Sequence, residues 1–130
     1  MLNKFKKIPI LECVHISSGD GVVLMKIDGR PARGYLCTQS AVLSIFIDTI
    51  ENFPLEVVKH ISLLLAGCSE VHDYSLKLSP EGGWLCCFFD KNMTVETMAK
   101  EIEKHLALTR YLDSTLSRYR NTSRRREDGI

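Results

Sequence analysis

Residues 84–89 read Trp-Leu-Cys-Cys-Phe-Phe, six consecutive apolar side chains between Gly82-Gly83 and Asp90. The run is far shorter than the roughly 20 residues that cross a bilayer as a helix. Its length, its aromatic content and the glycines before it read as a β-strand. In a strand successive side chains point to opposite faces. Leu85, Cys87 and Phe89 then share one face, and Trp84, Cys86 and Phe88 the other. Because neither face is polar, both need cover, and an aromatic face left in water costs about 25 cal/mol per Å². The chain therefore needs a layer on each side of this strand, from itself or from another protein.

The remaining pattern supplies the sheet and one layer. Apolar runs at 10–16, 22–27, 41–47 and 74–78 are separated by turn chemistry, with a shorter run at 35–38. The turns are Ser17–Gly21, Asp28-Gly29-Arg30-Pro31 and Ser79–Gly83. Short turns make antiparallel neighbours. A helix is expected over 54–66, with Pro54 at its first position, Asn52 as cap and Leu55, Val58, Ile61 and Leu65 as its apolar stripe. A second helix is expected from Thr94 to about Tyr119. Val95, Met98, Ile102 and Leu106 mark one face, and Leu108, Tyr111, Leu112 and Leu116 a face that has drifted round the axis. The expected fold is α+β: a small, mostly antiparallel sheet with two main helices.

The chain has 130 residues, 45% of them hydrophobic, which suits one domain with its own core. The domain is expected over 1–119, with 120–130 a basic flexible tail. Net charge is only +1, so a global affinity for polyanions is excluded and no nucleic acid is expected as partner. The distribution is uneven. Lys4, Lys6 and Lys7 make one end basic, and Arg118, Arg120, Arg124, Arg125 and Arg126 the other, around an acidic body. These ends read either as solvated tails or as contacts for an acidic partner.

Sites for chemistry are sparse. The five cysteines, Cys13, Cys37, Cys68, Cys86 and Cys87, are odd in number and form no C-x-x-C pair, which suits small buried hydrophobes in a reducing cytosol. Cys68 and His72 make one weak pair where zinc needs about four ligands. Neither Gly19-Asp20-Gly21 nor Gly82-Gly83 continues into a phosphate-binding loop. Cys13 and His15 lie on one face of a strand and resemble a nucleophile pair only on paper. His105 reads as a polar surface or interface residue, or as a pH-responsive contact. The expectation is no metal, no cofactor, no catalysis and no membrane-spanning segment.

Partner contacts are the remaining possibility. Arg30 and Arg33, flanking Pro31-Ala32 in an expected turn, are candidate rim contacts or simple solubilising charge. Trp84 is core or an interface anchor. Tyr111, Leu112 and Leu116 form either an intermolecular stripe or packing against the N-terminal strand.

Four segments are distinctive: Ile27-Asp28-Gly29-Arg30-Pro31-Ala32-Arg33-Gly34, Val71-His72-Asp73-Tyr74, Gly82-Gly83-Trp84-Leu85, and Glu101 to Thr109 (Glu-Ile-Glu-Lys-His-Leu-Ala-Leu-Thr). In this order they resemble the SpiC family, also called SsaB, with SepD and EsaB as relatives in other enteric type III secretion systems. The similarity runs from about Lys7 to Thr109. It implies a cytosolic switch component, working free or peripheral at the export apparatus, without catalytic residues. It implies two partners, a gatekeeper protein of the SsaL or SepL type and a small chaperone-like protein of the SsaM type. With them the protein would set translocator export before effector export. It also implies a fold similar to type III secretion chaperones, which commonly form homodimers. The alternative is a secreted effector that binds a host trafficking protein.

Overall fold

The apolar strand is the second-to-last of a six-stranded sheet. In the computed structural model, which describes residues 1–67 and 74–128 with side chains to Tyr119, β1 is Leu11–Ile16, β2 Val23–Ile27 and β3 Arg30–Leu36. β4 is Ser40–Thr49, β5 Tyr74–Leu78 and β6 Gly82–Asp90. The order is β1-β2-β3-β4-β6-β5, and every neighbouring pair is antiparallel. β6 is hydrogen-bonded on both sides, to β4 and β5. The fold is α+β, and its helices are α1 (Leu2–Lys6), α2 (Leu55–Gly67) and α3 (Val95–Asp128).

All three helices cover one face of the sheet. One core joins Phe5 and Ile8 to Val23, Met25, Ile27, Leu43 and Ile45 of the sheet and to Met98 and Ile102 of α3. A second joins Ile47, Phe53 and Leu85 to Val57, Ile61 and Leu65 of α2 and to Leu112 and Leu116 of α3. Leu85, Cys87 and Phe89 thus meet helices, as their alternation predicts.

Several local expectations change. Residues 1–7 are no solvated tail: α1 buries Phe5 completely, and Lys4 Nζ donates to the Met93 carbonyl at 2.7 Å, tying α1 to the turn before α3. The second turn is tighter than expected. Only Asp28 and Gly29, at φ 53° and 74°, turn the chain. Arg30 and Pro31 already lie in β3, whose pairing with β4 begins at Ala32, so the missing proline N–H falls before that ladder starts. Gly82 and Gly83 are strand rather than turn. A Cβ at Gly83 would collide with the Phe53 ring, and one at Gly82 with the Asp48 carbonyl.

The helix ends show similar shifts. α2 starts after Pro54, whose carbonyl accepts from the N–H groups of Val57 and Val58. Asn52 does not cap it; that side chain donates to Thr49 Oγ1 within a short 3₁₀ turn, Ile50–Asn52. The buried stripe of α2 is Val57, Ile61 and Leu65, leaving Leu55 68% exposed. Thr94 caps α3 as expected, its Oγ1 accepting from the Thr97 N–H at 3.2 Å. α3 continues beyond Tyr119 to Asp128. Cys68, His72 and the Val71–Asp73 part of the family-like segment lie outside the described residues.

Candidate partner-binding face

The second face of β6 has no helix on it among the described residues. Pairing register defines what lies there. Leu24, Arg33, Ser44, Cys86 and Ser75 form one row across the sheet. Tyr35, Val42 and Phe88 form a second, and Phe46, Trp84 and Lys77 a third.

Long side chains from outer strands lie flat over the middle of this face. The Arg33 guanidinium stacks on Trp84 at 4.7 Å from the ring centroid and donates to both Glu81 carboxylate oxygens, at 2.8 and 3.0 Å. The Phe46 ring meets Trp84 edge-on, with centroids 5.2 Å apart at 74°. Trp84 Nε1 donates to Ser79 Oγ at 3.1 Å. Lys77 Nζ sits 4.6 Å over the Tyr35 ring and 3.2 Å from its hydroxyl. Beneath them the Ser44 hydroxyl and Cys86 thiol pair at 3.0 Å, with Ser44 1% exposed.

This arrangement answers the requirement set by the strand. Trp84 is 3% exposed, covered by its own chain. What remains open is the row beside it. Phe88 is 54% exposed, and a shallow cavity of about 190 Å³ lies between Val42, Ser75, Cys86, Cys87 and Phe88. Tyr35 and Val42 are half-buried. The outer face is therefore an apolar strip bordered by the Arg33–Glu81 and Lys77–Tyr35 pairs, an aromatic centre with a polar rim.

The sequence candidates fall into different places. Arg33 and Trp84 come together on this face. Arg30 does not join them: as the first residue of β3 its guanidinium donates to the Phe46 and Ile47 carbonyls, at 3.4 and 3.2 Å, and to Asp113 Oδ2 at 2.8 Å. Those carbonyls lie where the β4–β6 register shifts between Phe46 and Asp48, so Arg30 braces an irregularity in the sheet against α3. Arg110 makes a parallel tie, donating to Asp28 Oδ2 at 2.6 and 3.0 Å. Leu112 and Leu116 are 0% and 1% exposed in the second core. They pack within the chain, on α2 and β6 rather than on the N-terminal strand. Tyr111 is 51% exposed. Phe88, Tyr35, Lys77 and Glu81 are the residues missed from sequence. The apolar alternation of β6 pointed to Phe88; the others needed the strand order.

The environments of three titratable side chains among the described residues differ. Burial, and secondarily the Glu101 charge, pushes the Cys87 thiol up to about 12, so it stays protonated. Cys13 is left-handed at φ 55° in a β1 irregularity, and His15 Nδ1 engages the Cys13 carbonyl at 2.8 Å rather than its thiol. His105 is not at the surface. It is fully buried, and burial lowers its pKa to about 4. No helix among the described residues is long and apolar enough to cross a membrane.

No family model matches the chain. It is similar to curated proteins over most of its length. The SpiC homolog of Salmonella typhi is 36% identical over 116 residues, covering 89% of this chain and 91% of the relative. Salmonella pathogenicity island 2 protein C of Salmonella typhimurium strain LT2 is 36% identical over 116 residues, covering 89% and 87%. The same protein of strain 14028s matches to the same extent.

Proposed function

Because the chain belongs to the SpiC family, we propose that it is a bacterial regulator of type III protein export that acts by binding. In this reading it works in the cytoplasm, at or near the export apparatus. It joins a gatekeeper protein of the SsaL or SepL type and a small chaperone-like protein of the SsaM type, and together they order translocator export before effector export. It performs no catalysis: the buried Cys87 thiol and the Cys13–His15 geometry support a binding role.

The observation that carries the reading is where the family-like segments meet. The β2–β3 hairpin is tied to α3 through Asp28 with Arg110 and through Arg30 with Asp113. The same hairpin supplies Arg33 to stack on Trp84, and Leu85 accepts from His105 of α3. Segments 27–34, 82–85 and 101–109 therefore build one unit that spans the sheet and presents the outer face. Within it Phe88 is the exposed apolar centre and Arg33 the charged border, the composition of a contact patch with a hydrophobic middle.

The test is a binding measurement with purified gatekeeper and chaperone-like proteins. Phe88→Asp and Arg33→Glu should leave the circular dichroism spectrum and melting transition close to wild type. Each should weaken complex formation by on the order of 1 kcal/mol or more. Full binding by a folded Phe88→Asp, Arg33→Glu double variant would remove the outer face from the reading. Failure of the wild-type chain to bind either protein would remove the reading itself.

A further inference from the structure

The two edges of the sheet differ. β1 is broken by the register shift between Glu12 and His15, where Cys13 is left-handed and its carbonyl is already engaged by His15 Nδ1. Such an interruption guards an edge against further pairing. β5 has none: its residues pair with β6 in continuous register from Tyr74 to Leu78. Ser79 and Gly82 exchange both backbone hydrogen bonds at the turn that follows. Pairs that exchange bonds alternate with pairs that do not. Lys77 and Ser75 therefore bond to Trp84 and Cys86, while the N–H and C=O groups of Leu76 and Leu78 point away from β6. No strand among the described residues lies on that side. The edge also has an apolar shelf. Phe53, two residues before α2, lies over Gly83, which pairs with Leu78. α2 thus starts at the Leu78 end of β5, and its Val58 packs in the core that holds Leu76. Glu56, Val57 and His60 face α3. At about 100° per residue, Leu55 and Val58 lie on the side of α2 away from α3, which is the side of the β5 edge. Leu55 and Leu78 are both exposed there.

We propose that β5 receives an extended segment of a partner protein as a seventh, antiparallel strand. The segment is apolar at the two positions opposite Leu78 and Leu76 and acidic at the position between them. The backbone specifies a strand, because donors and acceptors repeated at every second residue are met by another extended chain in register. The side chains specify its pattern. Residues opposite Leu78 and Leu76 share their face and pass beneath Leu55 and Val58 of α2, which calls for apolar side chains. The residue between them falls on the other face, opposite Lys77. That position is a non-hydrogen-bonded pair, in which facing side chains come closest. Lys77 is exposed, rests on the Tyr35 ring and hydroxyl, and has no carboxylate partner among the described residues, so an acidic residue completes it. A second copy of β5 fits less well: paired about Leu76, it would place Ser75 opposite Lys77. The edge lies beside the outer face and is independent of it, so both can be occupied together.

A blocked peptide, Thr-Val-Glu-Val-Thr-Val-Thr, titrated into the full chain and followed by amide NMR, tests this without any other protein. In the free chain the Leu76 and Leu78 amides should exchange quickly with solvent and the Lys77 amide slowly. Peptide at up to about 1 mM should slow exchange at Leu76 and Leu78. N-methylation of the first two valines removes the N–H groups that meet the Leu78 and Leu76 carbonyls, and should weaken binding at least about tenfold. N-methylation of the glutamate, whose N–H points away from β5, should leave binding close to the parent peptide. Replacing that glutamate by lysine should weaken binding about threefold or more, and Lys77→Glu in the protein should recover it. These comparisons vary the peptide or one exposed side chain, so the fold is not at stake. The proposal is overturned by no binding at about 1 mM, by indifference to valine N-methylation, or by a charge reversal that Lys77→Glu does not recover. Protection of Leu76 and Leu78 that grows with protein concentration in the absence of peptide would also overturn it and give the edge to a second copy.

Discussion

His105 of α3 reaches across to β6 and donates through Nε2 to the carbonyl oxygen of Leu85 at 2.7 Å. A carbonyl cannot donate, so the proton sits on Nε2 and the neutral ring carries none on Nδ1. Nδ1 is buried and has no hydrogen-bond partner among the described residues. The ring lies 5.6 Å from that of Tyr74, and the Thr109 hydroxyl donates to the His105 carbonyl at 2.9 Å. Helix α3, strand β6 and edge strand β5 therefore meet at one uncharged imidazole.

Stability should fall as pH drops from about 6.5 to about 4. Burial lowers the folded pKa of His105 to about 4 from an ordinary value of 6.5. In that window the unfolded chain binds the proton and the folded chain does not, so acid favours unfolding. The contribution is full above pH 6.5 and diminishes by about 3 kcal/mol on passing to pH 4. Urea midpoints for wild type and His105→Gln across this range read it directly. An equal slope in both would show that other groups carry the acid response.

Arg30→Ala should destabilise the fold by about 1–3 kcal/mol. It leaves the Ile47 carbonyl and the Asp113 carboxylate without their 3.2 and 2.8 Å donor. Arg33→Ala, whose side chain is 33% exposed beside Glu81, should cost less than about 1 kcal/mol. Thermal melts of the two variants side by side should therefore rank Arg30 well below Arg33, the reverse of two equivalent surface arginines.

A Leu112→Asp, Leu116→Asp double change should abolish the folded state. Both side chains are sealed between α2, α3 and β6, and an unpaired carboxylate there exceeds about 4 kcal/mol per site. Loss of the cooperative melt and of near-ultraviolet dichroism is the expected result. A folded double variant would mean that α3 leaves the sheet.

Gly83→Ala should lower stability by about 1–3 kcal/mol, because the added methyl meets the Phe53 ring. Gly67→Ala, where a Cβ meets nothing within 4 Å, should be neutral or slightly stabilising within a helix. A chemical denaturation pair separates close approach from glycine entropy, and equal effects would argue against the Phe53 contact.

The alternation of 84–89, the turn residues and the Thr94 cap determined by themselves that this chain makes an antiparallel sheet backed by helices. Each is a local rule: a two-residue period, a positive φ at Gly29, a hydroxyl three residues before a free N–H. The resemblance was equally legible, because it lies in contiguous segments. Tertiary structure decided which side of each pattern counts. On α2 the periods through Leu55 and through Val57 are both helical, and only the position of α3 buries the second. Arg30 and Arg33 are three residues apart in the sequence, yet one braces α3 and the other stacks on Trp84. That division depends on strand order and register, which place Phe46, Glu81 and Asp113 beside them from distant parts of the chain. Trp84 needed cover on both sides of its strand, as its sequence demanded. That the cover is a guanidinium from β3 and a phenyl ring from β4 could be settled only by the packing of long side chains across a folded sheet.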